Sequence, residues 1–282
     1  MKRNSKKHNN YFVNSEKNKK TKDKQVQFNN NFFKTNEIPL AGKHSILSAL
    51  NNKKRKLHYL ITTNENLSKW EEEINKLRLK LDIAIKTKED IDKINNYKPH
   101  QNAILITEPL QRLSMDEFLF NYKFNSKMQI RLILLDEVTD PQNVGAIIRS
   151  ALAFKMDGIA LSQRNSPQET SALTKASSGA IEKLPIIALS NMSREIKKLR
   201  KFNFIIYGLA GEGVKDVYEL ENETGNIALI LGSEGKGLRR LTRENVDSLI
   251  KIPINVESES LNVSSAASIA MFQLQKNIIK IK

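Results

Sequence analysis

The sequence predicts an α/β protein in two parts, preceded by an unstructured basic arm. Two successive alternations of short apolar strands with amphipathic helices predict the two parts. In the second part the strands read as continuous apolar runs, which predicts a parallel sheet covered on both faces. The length of 282 residues agrees with about two domains of ~100–200 residues. Residues 1–36 hold ten Lys/Arg, two Asp/Glu and nine Asn, with no sustained apolar period. Such a segment cannot bury enough apolar surface to order itself.

The first ordered part is expected over residues 37–108. In "EIPLAGKHSILSALNN", Ile46, Leu47 and Leu50 fall at helical spacing just after Gly42. "KLHYLITT" alternates like a strand. "LSKWEEEINKLRLKL" places Leu67, Trp70, Ile74, Leu77 and Leu81 on one helical stripe. "LDIAI" and "NAILIT" read as strands, with the helical "KEDIDKINNY" between them. Residues 109–128 read as a connection with one short helix. The second part, 129–282, opens with "IRLILLDEV", a buried strand, followed by the helix in "DPQNVGAIIRSALAF". The strands "GIALS", "PIIALS", "NFIIYGLA", "NIALILGSE" and "SLIKIPI" then alternate with the helices "TSALTKASSGAIEKL", "MSREIKKLRKF" and "GLRRLTRENVD". The chain ends in the helix "NVSSAASIAMFQLQKNIIKI". These are about six strands, and ligands of such sheets bind at the carboxyl ends of the strands.

Composition excludes several chemistries. With no cysteine, disulfides, thiolate-held metals and cysteine nucleophiles are ruled out, and nothing points to export. No apolar run approaches the ~20 residues that span a bilayer. The N-terminus has no apolar h-region, and it is Lys- and Asn-rich where a transit peptide is Arg- and Ser-rich. A cytoplasmic protein is expected. The histidines, at 8, 44, 58 and 100, form no metal set with the motifs below, so no metal is expected. The net charge of +15 favours a polyanionic partner, and +8 of it lies in the first 36 residues. That arm is either a loose RNA contact held by counterion release or a solvated tail.

Three polar, small-residue corners concentrate in the second part. In the first, a helix started at Val144 puts Val144, Ile147, Ile148, Ala151 and Leu152 on one face. Arg149 falls on the other, among Gly145, Ala146, Ser150 and Ala153. Its side chain leans back toward Asn143, at or near the N-cap, where free amides would suit an anion. The alternative is a solvated arginine beside an ordinary Asn cap. The second corner, "LILGSEGKGLRR", runs an apolar strand into Gly232, Gly235 and Gly237. It lacks the Gly-Lys-Ser/Thr of a Walker A loop, and Glu234 is either a ligand contact or a loop acid. "GLAGEG" (208–213) reads as a turn. In the third corner Ser260 and Asn262 precede an Ala- and Ser-rich helix, which Asn262 or a nearby Ser would cap. No G-x-S-x-G elbow and no matched carboxylate pair is present.

Taken in order, "DPQNVGAIIRSALAF", "ALILGSEGKGLRR" and "IPINVESESLNVSSAASIA" resemble the SpoU family of RNA ribose 2′-O-methyltransferases, in its TrmH/RlmB-type branch. "GKHSILSAL" and "HQNAILITEPL" resemble the two ends of that family's substrate-binding domain, which has an L30e-like fold. The resemblance covers roughly Arg131–Phe272 and the first domain, but not residues 1–36. It implies a SPOUT-type catalytic domain with a C-terminal trefoil knot, a rare exception to ordinary connection rules. By the same resemblance, S-adenosylmethionine (AdoMet) sits in the knot at Gly232, Ile252 and Leu261, with Leu209 adjoining. A homodimer is implied, formed largely by the C-terminal helix and the first-motif helix. That would give the small face beside Arg149 its purpose, letting knot, cofactor and second subunit approach.

The catalytic positions the resemblance carries over are Asn143, Arg149, Glu234, Ser260 and Asn262. In the family this arginine is discussed as a general base. A guanidinium normally stays protonated, so phosphate-assisted proton loss and electrostatic stabilisation of the forming alkoxide both stay open. Asn143 would position the ribose or the arginine, and Ser260 and Asn262 would orient target and cofactor. Glu234 would fix the glycine loop or a partner across the dimer. The implied substrate is structured RNA, with 23S rRNA and guanosine favoured and tRNA the other candidate. The rival readings are a non-catalytic knotted RNA-binding or ribosome-assembly protein and a related base methyltransferase.

Overall fold

A computed structural model describes residues 36–76, 81–124, 129–163 and 166–275. The first part is β1 (Ile38–Ala41), α1 (Lys43–Asn51), β2 (Leu57–Thr62), α2 (Asn64–Lys76), β3 (Asp82–Ile85), α3 (Lys88–Ile94) and β4 (Ala103–Thr107). Its sheet has the order β1-β4-β2-β3, with only the β2–β3 pair parallel. β4 is buried along its whole length, as the run "AILIT" requires of a central strand. Leu40, Ile46, Leu60, Trp70 and Leu105 form the core. Thr87 caps α3 by accepting from the Asp90 amide, and Glu89 and Asp90 complement the dipole of the first turn.

The second part is β5 (Leu113–Ser114), α4 (Met115–Phe124), β6 (Arg131–Asp136), α5 (Pro141–Ala153), β7 (Gly158–Ser162), α6 (Ser171–Ser177), β8 (Ile186–Leu189) and α7 (Met192–Lys201), followed by β9 (Phe204–Leu209), β10 (Lys215–Asp216), β11 (Asn226–Gly232), α8 (Arg240–Asn245), β12 (Ser248–Lys251) and α9 (Val263–Gln275). The sheet order is β10-β12-β9-β11-β6-β7-β8-β5, and every pairing is parallel. Strand β6 shows why its sequence is unbroken in apolar character. Ile133 and Leu135 enter one core cluster with residues of α5, α6 and α9, while Leu132 and Leu134 enter another with residues of α4 and α7. From β6 the chain winds one way through β7 and β8 and later returns to fill β11 on the other side. Sheets of this kind bind ligands at the carboxyl ends of the strands, about the point where the winding direction changes.

The sheet has two strands more than the apolar runs predict. β5 and β10 are two-residue edge pieces with no hydrophobic period to announce them. β1 was also unannounced: it is four residues long, and its Pro39 suits an edge position. Part of the expected connection 109–128 joins the second part, since β5 pairs with β8 and α4 buries Met115, Phe118 and Leu119. The single helix expected in "TSALTKASSGAIEKL" is broken. Ser178 (φ 49°) and Gly179 (φ 81°) turn left-handed, and only a 3-10 turn, Ala180–Glu182, follows. The expected arm lies outside the described residues except for Asn36, as do 77–80 and 276–282 of the two expected helices.

The two sheets are joined through buried charge. Arg55, with a fully buried side chain, pairs with Glu182 and with Glu169 at 2.5 Å, and donates to the Glu108 carbonyl at 2.9 Å. Asn52 donates to Glu182 at 2.8 Å, and Glu169 accepts from the Leu110 amide at 2.7 Å. Burial opposes the Arg55 charge, but hydrogen bonds to Glu182 and Glu169 outweigh it and hold the guanidinium above its ordinary range.

Candidate active site

The helix of the first motif begins three residues earlier than Val144. Asp140 is the N-cap of α5 and Pro141 its first residue, and the Asp140 carboxylate accepts from the amides of Gln142 and Asn143, both at 3.2 Å. This corrects two expectations. Asn143 is not the cap, and the amides proposed for an anion are already answered by the chain's own acid. Asn143 instead spends its side chain across the site. Its Nδ2 donates to Glu234 Oε1 at 3.1 Å, and its Oδ1 accepts from Asn262 at 3.0 Å.

Glu234 reaches that position because the glycine loop doubles back. Backbone bonds run from Ser233 N to Gly237 O (3.2 Å) and from Gly237 N to Ser233 O (2.9 Å). A Cβ on Gly232 would lie 2.2 Å from the Gly237 carbonyl carbon, so only glycine permits this approach. Gly235 and Gly237 supply the positive φ of the turn. The far end of the loop is tied down by Asp136, a buried carboxylate ending β6. It accepts from Arg239 N at 3.0 Å and Arg239 Nε at 2.7 Å.

The two readings of Asn262 hold together. Its Oδ1 caps α9, accepting from the Ser264 amide (2.9 Å), the Ser265 amide (3.3 Å) and the Ser264 hydroxyl (2.6 Å). Its Nδ2 donates to Asn143 and, at 2.6 Å, to Glu234. Glu234 also accepts from the Val263 amide at 3.4 Å. One carboxylate thus gathers the first turns of α5 and α9 at the carboxyl edge of the sheet.

Beside this cluster lies a cavity of about 630 Å³. Leu209, Gly232, Ile252 and Leu261 all line it, as do Glu234, Ser260 and Asn262. Its volume is in the range of sites for small molecules and cofactors. Asn143 meets the cavity only through Glu234 and Asn262. Arg149 does not line it. Six residues further along α5, it stands ~9 Å from Asn143 in axial rise. It is exposed and makes no hydrogen bond or ion pair with a described residue. The small face beside Arg149 is also used within the chain. A Cβ on Gly145 would lie 2.5 Å from Ala176 Cβ of α6, and Ser150 bonds Ser268 of α9 at 2.8 Å. The close approach inferred there for knot, cofactor or second subunit is therefore made, at Gly145 and Ser150, by α6 and α9. Sequence reasoning missed the Asp136–Arg239 clamp and a Glu212–Arg243 ion pair whose two residues line the cavity. Asp136 was readable as an acid closing an apolar strand; nothing local signals the other pair, which forms only when the 211–213 turn meets α8.

Among the described residues no His, Asp or Glu side chains group as a metal site, and no helix is long and apolar enough to cross a membrane. Residues 131–272 match the SpoU rRNA Methylase family, and residues 39–113 match the RNA 2′-O ribose methyltransferase substrate-binding family. The chain belongs to the SpoU rRNA methylase family. It is 46% identical over 145 residues to the 23S rRNA (guanosine-2′-O-)-methyltransferase RlmB of Xylella fastidiosa, covering 51% of this chain and 58% of that protein. With RlmB of Pasteurella multocida the identity is 33% over 239 residues, covering 83% of this chain and 95% of that one. The chain thus spans little more than half the length of some relatives it matches and nearly all of another. Its fold is that of the SpoU methyltransferase AviRb from Streptomyces viridochromogenes, solved in complex with AdoMet. The TM-score is 0.71 at 20% identity over 86% of this chain and 90% of that one. An AdoMet-bound rRNA methyltransferase from Sinorhizobium meliloti gives a TM-score of 0.71, also at 20% identity, over 87% and 89% of the two chains.

Proposed function

We propose that this protein is an AdoMet-dependent methyltransferase acting on a ribose 2′-hydroxyl of structured RNA, with a guanosine of 23S rRNA as its target, in the cytoplasm. The observation that carries the reading is the convergence of Asn143, Glu234 and Asn262 beside a cavity lined by Leu209, Gly232, Ile252 and Leu261. The names of the RlmB relatives supply the RNA and the base. The cavity suits the cofactor: Leu209, Ile252 and Leu261 offer apolar contact, and Gly211 and Gly235 would present backbone with open space around their Cβ positions. Bound AdoMet supplies an electrophilic methyl group. The chain's own part is to hold the ribose and stabilise the oxygen as its proton passes to a phosphate oxygen of the RNA or to solvent, the cofactor being left as the demethylated thioether. Ser260 and Asn262 orient the target beside the cavity, and Asn143 and Glu234 keep Asn262 in place. Arg149 acts electrostatically on the forming alkoxide.

The same reading gives residues 37–108 to an L30e-like RNA-binding domain, 129–282 to the catalytic domain and 1–36 to an RNA-contacting arm. It includes a C-terminal trefoil knot, supported by the insertion of β11 between β9 and β6 and by β12 outside β9. It also includes a homodimer through α5 and α9, supported by the exposed Ile269 and Phe272 on α9 and the exposed Leu261 before it. In that dimer Arg149, which stands clear of its own cavity, completes a site shared between the subunits. The test is Arg149→Ala. Turnover on 23S rRNA falls by about 10²–10³-fold, the scale of a lost oxyanion donor, while AdoMet affinity by calorimetry stays within two-fold. Full turnover from the variant overturns the role given to Arg149.

A further inference from the structure

A second cavity, of about 570 Å³, opens on the same edge of the large sheet. Its floor is the carboxyl ends of β6, β7 and β8, at Leu135, Ser162 and Leu189. Arg239, Arg240 and Ser193 also line it, and among the described residues no carboxylate does, although the Arg239 guanidinium is already paired with Asp136 and Glu137 behind the wall. Among the described residues the Arg240 charge is held by Glu244 alone, in an exposed i, i+4 pair that is weak and easily exchanged. On another wall is the start of α7. There Asn191 accepts from the Arg194 amide, leaving the amides of Met192 and Ser193 without a helical partner. Both residues line the cavity.

We infer that this cavity binds a backbone phosphate of the RNA substrate, an inference that rests on the RNA reading above. Arg240, a hydroxyl and a ten-residue helix pointing its positive end inward make an anion site with no acid among the described residues of its wall. The exposed Leu241 at its edge offers apolar contact to a neighbouring ribose or base. Position also supports the assignment. The first cavity lies over β12, β9 and β11, and the second over β6, β7 and β8, so their middles are three strand spacings apart, ~14 Å. The segment from Gly237 to Arg243 separates them. An RNA strand that presents one ribose at the first cavity would cross this segment and lay a phosphate a few nucleotides away in the second. The site would set the register of the strand and take no part in the chemistry.

The test uses the full chain and a fluorescein-labelled single-stranded RNA of mixed sequence, titrated at several salt concentrations. Arg240→Ala weakens binding several-fold and lowers the slope of log K against log salt by ~0.7, one phosphate contact on a single strand. Ser193→Glu does the same, although an acid at this position suits the helix dipole and protects the fold. Lys183→Ala, an equal change of charge before β8 at the other end of the sheet, leaves the slope alone. AdoMet affinity is unchanged in all three. An unchanged slope in Arg240→Ala and Ser193→Glu overturns the site, as does an equal fall in Lys183→Ala. Ribose methylation by the wild-type protein is measured in parallel. If methylation occurs and the slopes do not move, the site alone fails. If the slopes move and no methyl is transferred, the phosphate site stands and the enzymatic reading fails.

Discussion

Asn262 carries two jobs that single substitutions separate. Its oxygen caps α9 and its nitrogen joins Asn143 to Glu234. Asn262→Ala loses both, and the lost cap costs about 1 kcal/mol. Thermal denaturation registers that as a fall of ~2–4 °C for a unit of this size. Asn262→Asp keeps the capping oxygen but sets a second carboxylate against Glu234. It melts within about 2 °C of wild type, yet loses most turnover. Equal turnover losses that simply track stability would reduce Asn262 to a cap. At this scale the sequence was legible in part. Asp140 followed by Pro141 is a cap and first-turn signature, so the true start of α5, with Asn143 inside the helix, is readable in the sequence. That Arg149 stands outside its own cavity was not readable, because helical periodicity gives a face but not what lies opposite it.

Among the elements, the turn after β11 is the most constrained. Gly232 ends a strand buried on both sides, and the next five residues return against it. Gly232→Ala forces a backbone shift of the kind that costs about 1–3 kcal/mol. It also displaces Glu234 from Asn262 and moves the cavity wall. Calorimetry is expected to give AdoMet affinity at least ten-fold weaker; unchanged affinity would mean that the loop yields without disturbing the site. The elements that the sequence revealed are those with enough apolar residues to set a period, such as β6, β11 and α5. Those it hid are short or broken for local reasons. β10 has two residues, and α6 stops where Ser178 and Gly179 go left-handed.

The whole molecule depends on how the small sheet is held against the large one. Arg55 is a single buried cation between Glu169 and Glu182, and Ser45 adds a hydrogen bond to the Thr174 carbonyl at 3.1 Å. Arg55→Met leaves both carboxylates buried without their partner, at a cost of about 3–5 kcal/mol. Chemical denaturation is expected to show that loss. With the fold preserved at low temperature, methylation of 23S rRNA is expected to fall more than AdoMet binding, because the joint governs presentation of the RNA and not the cofactor cavity. Loss of both in proportion would make the joint a matter of stability alone. Nothing in the sequence pointed to Arg55. Its partners lie more than one hundred residues away, and only the assembled fold brings them together.

The most direct test of the central claim is to incubate the protein with AdoMet and 23S rRNA that lacks its 2′-O-methyl groups. Nuclease digestion and mass spectrometry then map the methyl. The account predicts one new 2′-O-methylguanosine, absent when Arg149→Ala replaces the wild type. A methyl on a base, or AdoMet bound with none transferred, would contradict it.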